Sequence, residues 1–584
     1  MHHNEIAKIF LKYFQKHQHL LIESSSLVPK EIDPSALFIN SGMHPIKNYF
    51  LGVEQPPSKR LCSLQRVFRT IDIDNVGGNA RTLTFFFMLG SWSIGDYWKK
   101  DAVKLAYDLL VKEYGFEKEK LWMSVFEGDS EVQKDTETLE AWKKIGVNHI
   151  VELGEKHNFW KLGDSGPCGP STEIYYDQGK EAGCGKKDCK PGCDCDRFLE
   201  IWNAGVFIQY NRSNGKLEKL KLQSVDTGAG LERLSIILQK KNSVFETTLF
   251  SPLLEKIVQL TKKEYQKNKK EMHIILDHLR ASCFLINDGI TPSKMERGYV
   301  LRRLIRRLVK YGNQLGIQRE GFAVLIEHTS EMYQELDSIK IKKVFDEEYS
   351  KFIKALRKGE SIFQNEVKML KQKNAREIPG DIVFRLYDTY GFPVELTQEM
   401  AVEHGLKLDM GGYESSFLKH KEISRKSAEK KFKGGLADES YETTKLHTAT
   451  HLLAEALRRV LSKDIEQKGS NITAERLRFD FNFPRKISDE ELKDVEELVN
   501  KKIKEGLNVN RKEMRVEEAK KIGAHGVFGE KYGEKIFVYS IGDFSREICG
   551  GPHVKNTKEI GKFKIVKEES VSAGVRRIKA IVDD

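Results

Sequence analysis

The chain has no apolar run approaching the roughly 18 uncharged residues that cross a bilayer, so no membrane-spanning helix and no membrane partner are expected. Its start, MHHNEIAKIFLKYF, lacks the charged-then-apolar layout of a secretory signal, which leaves the cytoplasm as the expected location. Neither an internal repeat nor a low-complexity tract is present. Cysteine is sparse, with eight in 584 residues, and in a cytoplasmic chain these are not expected to form disulfides. What the chain has is length and positive charge. It is too long for one hydrophobic core, which points to about three domains. Its formal charge of +11 suits a polyanionic partner such as nucleic acid, although a Lys-rich solvated surface gives the same balance.

Four of the cysteines crowd into CGKKDCKPGCDC. Cys184, Cys189, Cys193 and Cys195 are interleaved with Gly and Pro, which let the chain fold back on itself. Four thiolates suit a closed, structural zinc site with no open position for water. The plainer reading is a loop of free thiols, since the last spacing is tighter than in a usual knuckle.

Residues 1–245 alternate short apolar or aromatic runs (LTFFFMLG, EIWNAGVFIQY) with Gly-rich turns, as a mixed sheet with flanking helices would. Residues 246–425 read as helical and basic. Residues 426–446, with KFKGGLADES, read as a polar linker. From 447 to 584 helices and strands mix again, with LRFDFNF, KIFVYSI and FKIVKEE as strands. The expected class is α+β and multidomain.

QRVFRTIDIDNVGGNARTLTFFFMLGSWSIGDYW reads as a hairpin of a basic and an aromatic strand. A rigid arginine fork beside an aromatic surface is what a nucleotide requires: Arg69 can grip a phosphate and a carboxylate, and Phe86 can stack on a base. An aromatic stripe alone is more often a core. GDSGPCGPSTEIYYD, EIWN and VDTGAGLERL add carboxylates, an amide and a second arginine, Arg233, at a helix start; Asp226 alone reads equally well as a helix N-cap.

RGYVLRRLIRRLVKYG places Leu301, Leu304, Ile305 and Leu308 on one helical face. Arg302, Arg303, Arg306, Arg307 and Lys310 form a basic ridge able to follow a phosphate backbone, or a merely solvated face. In HTATHLL, His447 and His451 lie one helical turn apart, and CGGPHV supplies Cys549 and His553. Together these pairs make a two-segment zinc site.

Taken in order, these strings resemble the class II aminoacyl-tRNA synthetase motifs as they occur in the alanyl-tRNA synthetase family. The likeness continues through LFINSGM, DHLRASCFLINDG, LYDTYGFPVEL, HTATHLL and CGGPHV and covers nearly the whole chain. It implies an antiparallel six-stranded class II sheet with flanking helices, a helical tRNA-recognition domain and an α+β, metal-dependent editing domain. The implied activity joins L-alanine to tRNA(Ala) through an alanyl-adenylate made from ATP with Mg²⁺. Mischarged Ser-tRNA(Ala) or Gly-tRNA(Ala) would be hydrolysed at a zinc site.

By the same resemblance, Arg69 holds the α-phosphate and the amino acid's carboxylate, Arg233 the γ-phosphate, and Phe86 stacks on adenine. Asp226 and Gly228 form the alanine-ammonium pocket, lined by Trp160 and Asn203. Asp388 reads the acceptor stem's G·U pair from the minor groove. Lys294 stands where the family has an asparagine, so it either shares in that reading or binds a phosphate; Gln467 lines the editing pocket. Phe87 replaces the family's usual glutamate, and Pro552 its threonine. The family's pre-editing β-barrel and C-terminal domain find no counterpart, which implies a shortened form, natural or cut at that point, and a monomer. Two other readings, a free-standing editing hydrolase and an RNA-binding module, are disfavoured by the presence of Arg69, Asp226 and Arg233.

Overall fold

The computed structural model describes residues 1–29, 36–162, 166–213, 216–431, 440–526, 535–572 and 574–583. Two compact units are present, Met1–Met410 and Gly411–Asp584.

The first unit is organised by a nine-stranded sheet: β1 (Leu20–Leu21), β2 (Arg60–Phe68), β3 (Phe85–Ile94), β4 (Leu121–Phe126), β5 (Ile150–Leu153), β6 (Phe159–Lys161), β7 (Gly166–Asp177), β8 (Phe198–Ser213) and β9 (Lys216–Gly230). Their order is β1-β2-β3-β9-β8-β7-β4-β5, with β6 paired to β7. The stretch from β2 to β4 is antiparallel throughout and supplies the six strands anticipated. Parallel pairings of β1 with β2 and of β4 with β5 extend it at both edges. Buried aromatics drive this sheet together: Phe85, Trp92, Trp202 and Phe207 are all fully covered. Helix α1 (His3–Lys16) buries Ile6, Phe10 and Phe14, an i, i+4 stripe whose Phe10 and Phe14 rings meet Trp202. Helix α2 (Leu231–Leu238) follows β9 directly.

The same unit continues with α3 (Lys269–Asn287), α4 (Glu296–Gln314) and α5 (Ser338–Gln372). Beyond them lie strand β10 (Glu377–Ile378), α6 (Gly380–Asp388), α7 (Val394–Glu403) and β11 (Lys407–Leu408). Leu301, Leu304, Ile305 and Leu308 form the buried stripe of α4, as their spacing requires. Asp337 caps α5, accepting from the backbone N–H groups of Ile339 and Lys340.

Helix α8 runs Met410–Lys431 and α9 Tyr441–Val460, so the expected connector at 426–446 is helical at both ends; residues 432–439 lie outside the described residues. Ser440 caps α9 through Thr443 N–H. The second unit also holds β12 (Gln467–Ile472), β13 (Leu477–Asn482), α10 (Asp489–Glu505), β14 (Val509–Arg515), β15 (Lys535–Ile541), β16 (Ser545–Ile548), β17 (Lys562–Ser572) and β18 (Val575–Asp583). They form two antiparallel sheets, β12-β13-β18-β17 and β14-β15-β16. Ala449, Leu452, Leu453 and Leu457 of α9 pack on Phe479, Phe481 and Ile578, leaving the intervening histidines on another side of the helix. The three strings read as strands fall in β13, β15 and β17.

Candidate functional site

Arg69 follows β2 directly. Its Nε donates to the Asn40 carbonyl at 3.2 Å, and its guanidinium lies 5.1 Å from the Phe86 ring centre. It shares the field of Asp72, Glu200 and Arg233. Arg233, in the first turn of α2, donates to the Glu200 carboxylate at 2.7 Å and to its carbonyl at 3.0 Å. Burial works against the Glu200 charge, yet Arg233 and Arg69 outweigh it and hold the carboxyl below its ordinary pKa. On β7, Glu173 takes a hydrogen bond from the Tyr175 hydroxyl. Burial and then the Glu200 charge push its pKa well up. Two facing carboxylates between two arginines form a site for a polyanion together with a cation. Asp72, Glu173 and Glu200 escaped the sequence reading because none stands in a spacing that marks it; their strings showed only that acids were present.

Phe86 and Phe87 alternate across β3 as neighbours on a strand must. Phe86 stays with Arg69, whereas Phe87 packs against Phe284 and Tyr333 with ring centres 6.0 and 5.8 Å away. The Phe87 departure therefore falls on the core face, while its backbone N–H donates to Glu232 at 3.1 Å.

Asp226 lies in β9, paired with Trp92 of β3, and is not a helix N-cap; Gly230 occupies that position. The Asp226 carboxylate is 6% exposed and accepts from the Trp92 indole N–H at 2.7 Å. Burial raises its pKa to about 7, against the effect of that bond. Asn203, on β8, pairs with Gly228, and its amide oxygen is buried without a hydrogen-bond partner among the described residues. Trp160 packs on the cluster that contains Trp92. A buried carboxylate and a spare acceptor on adjoining strands make a pocket for a small cation such as an amino group.

The four cysteines of 184–195 converge. Sγ of Cys184 and Cys193 are 3.7 Å apart, and those of Cys189 and Cys195 are 3.5 Å apart. All four sulfurs lie within 4.8 Å of one another. A tetrahedron with metal–sulfur bonds of about 2.3 Å separates its sulfurs by roughly 3.8 Å, so the residues fit zinc. Arg81, from the loop between β2 and β3, donates to the carbonyls of Asp194 (3.1 Å) and Cys195 (3.3 Å), tying this knuckle to the segment after Arg69.

Lys294, Tyr299, Arg302, Arg303, Asp388 and Gly391 line one pocket. The basic ridge expected along α4 is corrected here. Arg306 is 4% exposed and donates to Glu348 of α5 at 2.6 Å and to the Gly391 carbonyl. Arg307 and Lys310 are buried too, Arg307 against Glu399 at 2.7 Å. These positions face inward because α5 and α7 bring carboxylates to them; Arg306 holds the turn that follows Asp388 at the end of α6, through the Gly391 carbonyl. Gly391 is required there, with φ at +65° and only 2.3 Å between an added Cβ and the Arg306 guanidinium. Arg302 and Arg303 keep contact with the pocket, while pairing with Glu348 (3.4 Å) and Glu395 (3.5 Å) respectively.

In the second unit, ligand atoms of His447, His451, Cys549 and His553 lie within 4.8 Å of one another. His447 Nδ1 is 2.9 Å from the Pro552 carbonyl, which leaves Nε2 toward Cys549 Sγ at 3.4 Å. Among the described residues His451 Nε2 is buried without a hydrogen-bond partner, and the ring nitrogens of His553 are buried with only the Gly551 backbone beside them. Burial depresses the pKa of His447 to about 4, of His553 to about 2 and of His451 well below its ordinary value, so the three imidazoles are neutral near pH 7. Orphaned imidazole nitrogens around a thiol fit a zinc ion. The Tyr539 ring lies 3.8 Å from that of His553. Gln467, in β12, donates to Ser470 Oγ at 3.0 Å.

Residues 5–474 match the family described as tRNA synthetases class II (A), and residues 536–579 match the threonyl and alanyl tRNA synthetase second additional domain. The alanine–tRNA ligase of Borrelia hermsii is 47% identical over 598 residues, spanning 100% of this chain and 100% of that protein. That of Treponema pallidum is 46% identical over 597 residues, with 99% and 98% covered. That of Acetivibrio thermocellus is 36% identical, with 100% of this chain and 79% of the longer protein covered. Among the described residues no helix is long and apolar enough to cross a membrane.

Proposed function

The chain belongs to the class II alanine–tRNA ligases, enzymes that charge tRNA with alanine, and we propose that it couples this synthesis to hydrolysis of its own mischarged product. The observation that carries the synthetic half is the convergence of Arg69, Arg233, Glu173 and Glu200, with Asp226 on the adjoining strands.

In this reading the Asp226 carboxylate and the Asn203 amide oxygen receive the alanine ammonium, and Arg69 draws the alanine carboxylate against the α-phosphate. Arg233 fixes the γ-phosphate and Phe86 covers the base. A carboxylate is already a nucleophile, so no general base is needed: its oxygen attacks the α-phosphorus and pyrophosphate departs in line. Glu173 and Glu200 would hold magnesium, which supplies charge neutralisation at the phosphates. The tRNA's terminal hydroxyl then attacks the activated carbonyl and AMP leaves. Alanine-dependent ATP–pyrophosphate exchange tests this half; its absence in folded protein overturns it.

The editing half rests on the His447, His451, Cys549 and His553 group, which would hold zinc as a Lewis-acidic centre beside the ester to be hydrolysed. Release of serine from Ser-tRNA(Ala) by the purified enzyme tests it.

Elemental analysis is expected to give two zinc equivalents per chain. Cys189→Ser should lose one and lower the thermal stability of the first unit, because the thiolates otherwise close the knuckle around the ion. A wild type with one equivalent refutes the cysteine site.

Asp388 accepts where guanine's exocyclic amine donates, whereas Lys294 can only donate. Asp388→Ala is therefore expected to cut charging of the G·U-containing tRNA by about 1–3 kcal/mol, the range for a good base-edge contact. Lys294→Ala should weaken charging of G·U and G·C stems equally and flatten its salt dependence, as loss of a phosphate contact would. Selective harm to the G·U substrate by Lys294→Ala would assign base reading to the lysine instead.

A further inference from the structure

Asp226 receives a single side-chain hydrogen bond among the described residues, from the indole of Trp92 at 2.7 Å. Among the described residues, burial raises its pKa and that bond lowers it, with no charged side chain contributing. That bond fixes one oxygen and with it the orientation of the carboxylate, whose terminal torsion is otherwise broad and two-fold. The donor itself cannot move. Trp92 is 0% exposed among Met43, Leu61, Ile94 and Val206. A Cβ on Gly90 would stand 2.4 Å from its Cζ2, and one on Gly42 2.9 Å away, so the backbone is pared to glycine around the ring. The strand pairing is pinned one residue away, where Ser91 Oγ and Thr227 Oγ1 meet at 2.7 Å.

We propose that Trp92 is a positioning residue for amino-acid recognition: its indole N–H holds one oxygen of the Asp226 carboxylate and thereby aims the other at the substrate's amino group. This rests on the reading of Asp226 as the ammonium acceptor. Indole is a donor only, so it favours the ionised carboxylate that an ammonium needs and offers nothing to a competing anion. With the Asp226 pKa raised to about 7 by burial, the carboxylate becomes protonated as pH falls below that value. Alanine KM should then rise about tenfold per pH unit on the acid side. Removing the donor should weaken alanine binding and move the onset of that rise to higher pH.

The test is alanine KM, ATP KM and their pH profiles by ATP–pyrophosphate exchange, for wild type, Trp92→Phe and Asp226→Asn. A fourth protein carries 3-benzothienylalanine at position 92, which keeps the bicyclic shape and lacks only the N–H. Loss of a hydrogen bond to a charged group should raise alanine KM roughly ten- to a hundredfold in the benzothienyl protein, with ATP KM unchanged and the pH onset displaced upward. A packing role alone would leave the pH onset in place. Wild-type alanine KM and pH profile in the benzothienyl protein, together with a severe defect in Asp226→Asn, overturn the role of Trp92 alone. An unchanged alanine KM in Asp226→Asn overturns the reading of the pocket and the proposal with it.

Discussion

Arg69→Ala is expected to lower alanine-dependent ATP–pyrophosphate exchange by roughly a hundred- to a thousandfold, the usual cost of deleting a preorganised donor to developing negative charge. Hydrolysis of Ser-tRNA(Ala) by the same variant should proceed at the wild-type rate. The physical case lies in how the side chain is held. One N–H is fixed on the Asn40 carbonyl and the guanidinium faces Phe86, so the planar fork is oriented before substrate arrives. Burial lowers the Arg69 pKa from its ordinary value, and the Asp72 and Glu200 carboxylates beside it oppose that shift. Arg69→Lys should recover little of the lost rate, because an ammonium cannot present two parallel donors to a phosphate and a carboxylate at once. Arg69 and the His447, His451, Cys549 and His553 group sit in different units of the chain, and parallel loss of exchange and hydrolysis in a folded Arg69→Ala protein would contradict the proposed separation of the two reactions.

The sequence made some of this legible and hid the rest for identifiable reasons. Apolar and aromatic runs found strands, and helical spacing found the buried stripe of α4. The paired His and Cys spacings located two clusters that the fold does assemble. Spacing also placed Arg306 on a basic ridge, but periodicity distinguishes faces, not their partners. The carboxylate that draws Arg306 inward is Glu348, 42 residues away on another helix. The Trp92–Asp226 bond spans 134 residues and exists because β3 and β9 are neighbours in a particular register. Trp92 read as one more aromatic in a hydrophobic strand. Glu173 and Glu200 became a pair only when β7 and β8 were laid side by side. Arg81 likewise gave no sign that it holds the carbonyls of a cysteine loop more than a hundred residues on. In each case the local pattern fixed the element, and the chemistry depended on a contact between elements.

His553→Ala is expected to lower hydrolysis of Ser-tRNA(Ala) by at least about a hundredfold and to remove one zinc equivalent, with alanine activation intact. Removal of a ligand costs more than the ten- to hundredfold typical of disturbing a ligand's outer support. His553 is the position to change because, among the described residues, its buried ring nitrogens engage no side chain, so the substitution breaks no side-chain hydrogen-bond network. Its consequence should appear in the product as well as in the rate. A pocket shaped for a methyl side chain cannot strongly reject serine, which adds one hydroxyl, nor glycine, which is smaller; discrimination of the first kind reaches only about a hundredfold by binding alone. Supplied with serine in place of alanine, the His553→Ala enzyme should therefore accumulate Ser-tRNA(Ala), whereas the wild type should hold it near background while consuming ATP. Acid-gel separation of charged tRNA, with ATP consumption followed in parallel, measures both. Equal, low Ser-tRNA(Ala) in the two proteins, with serine-dependent ATP consumption retained in the variant, would mean that clearance does not depend on this cluster.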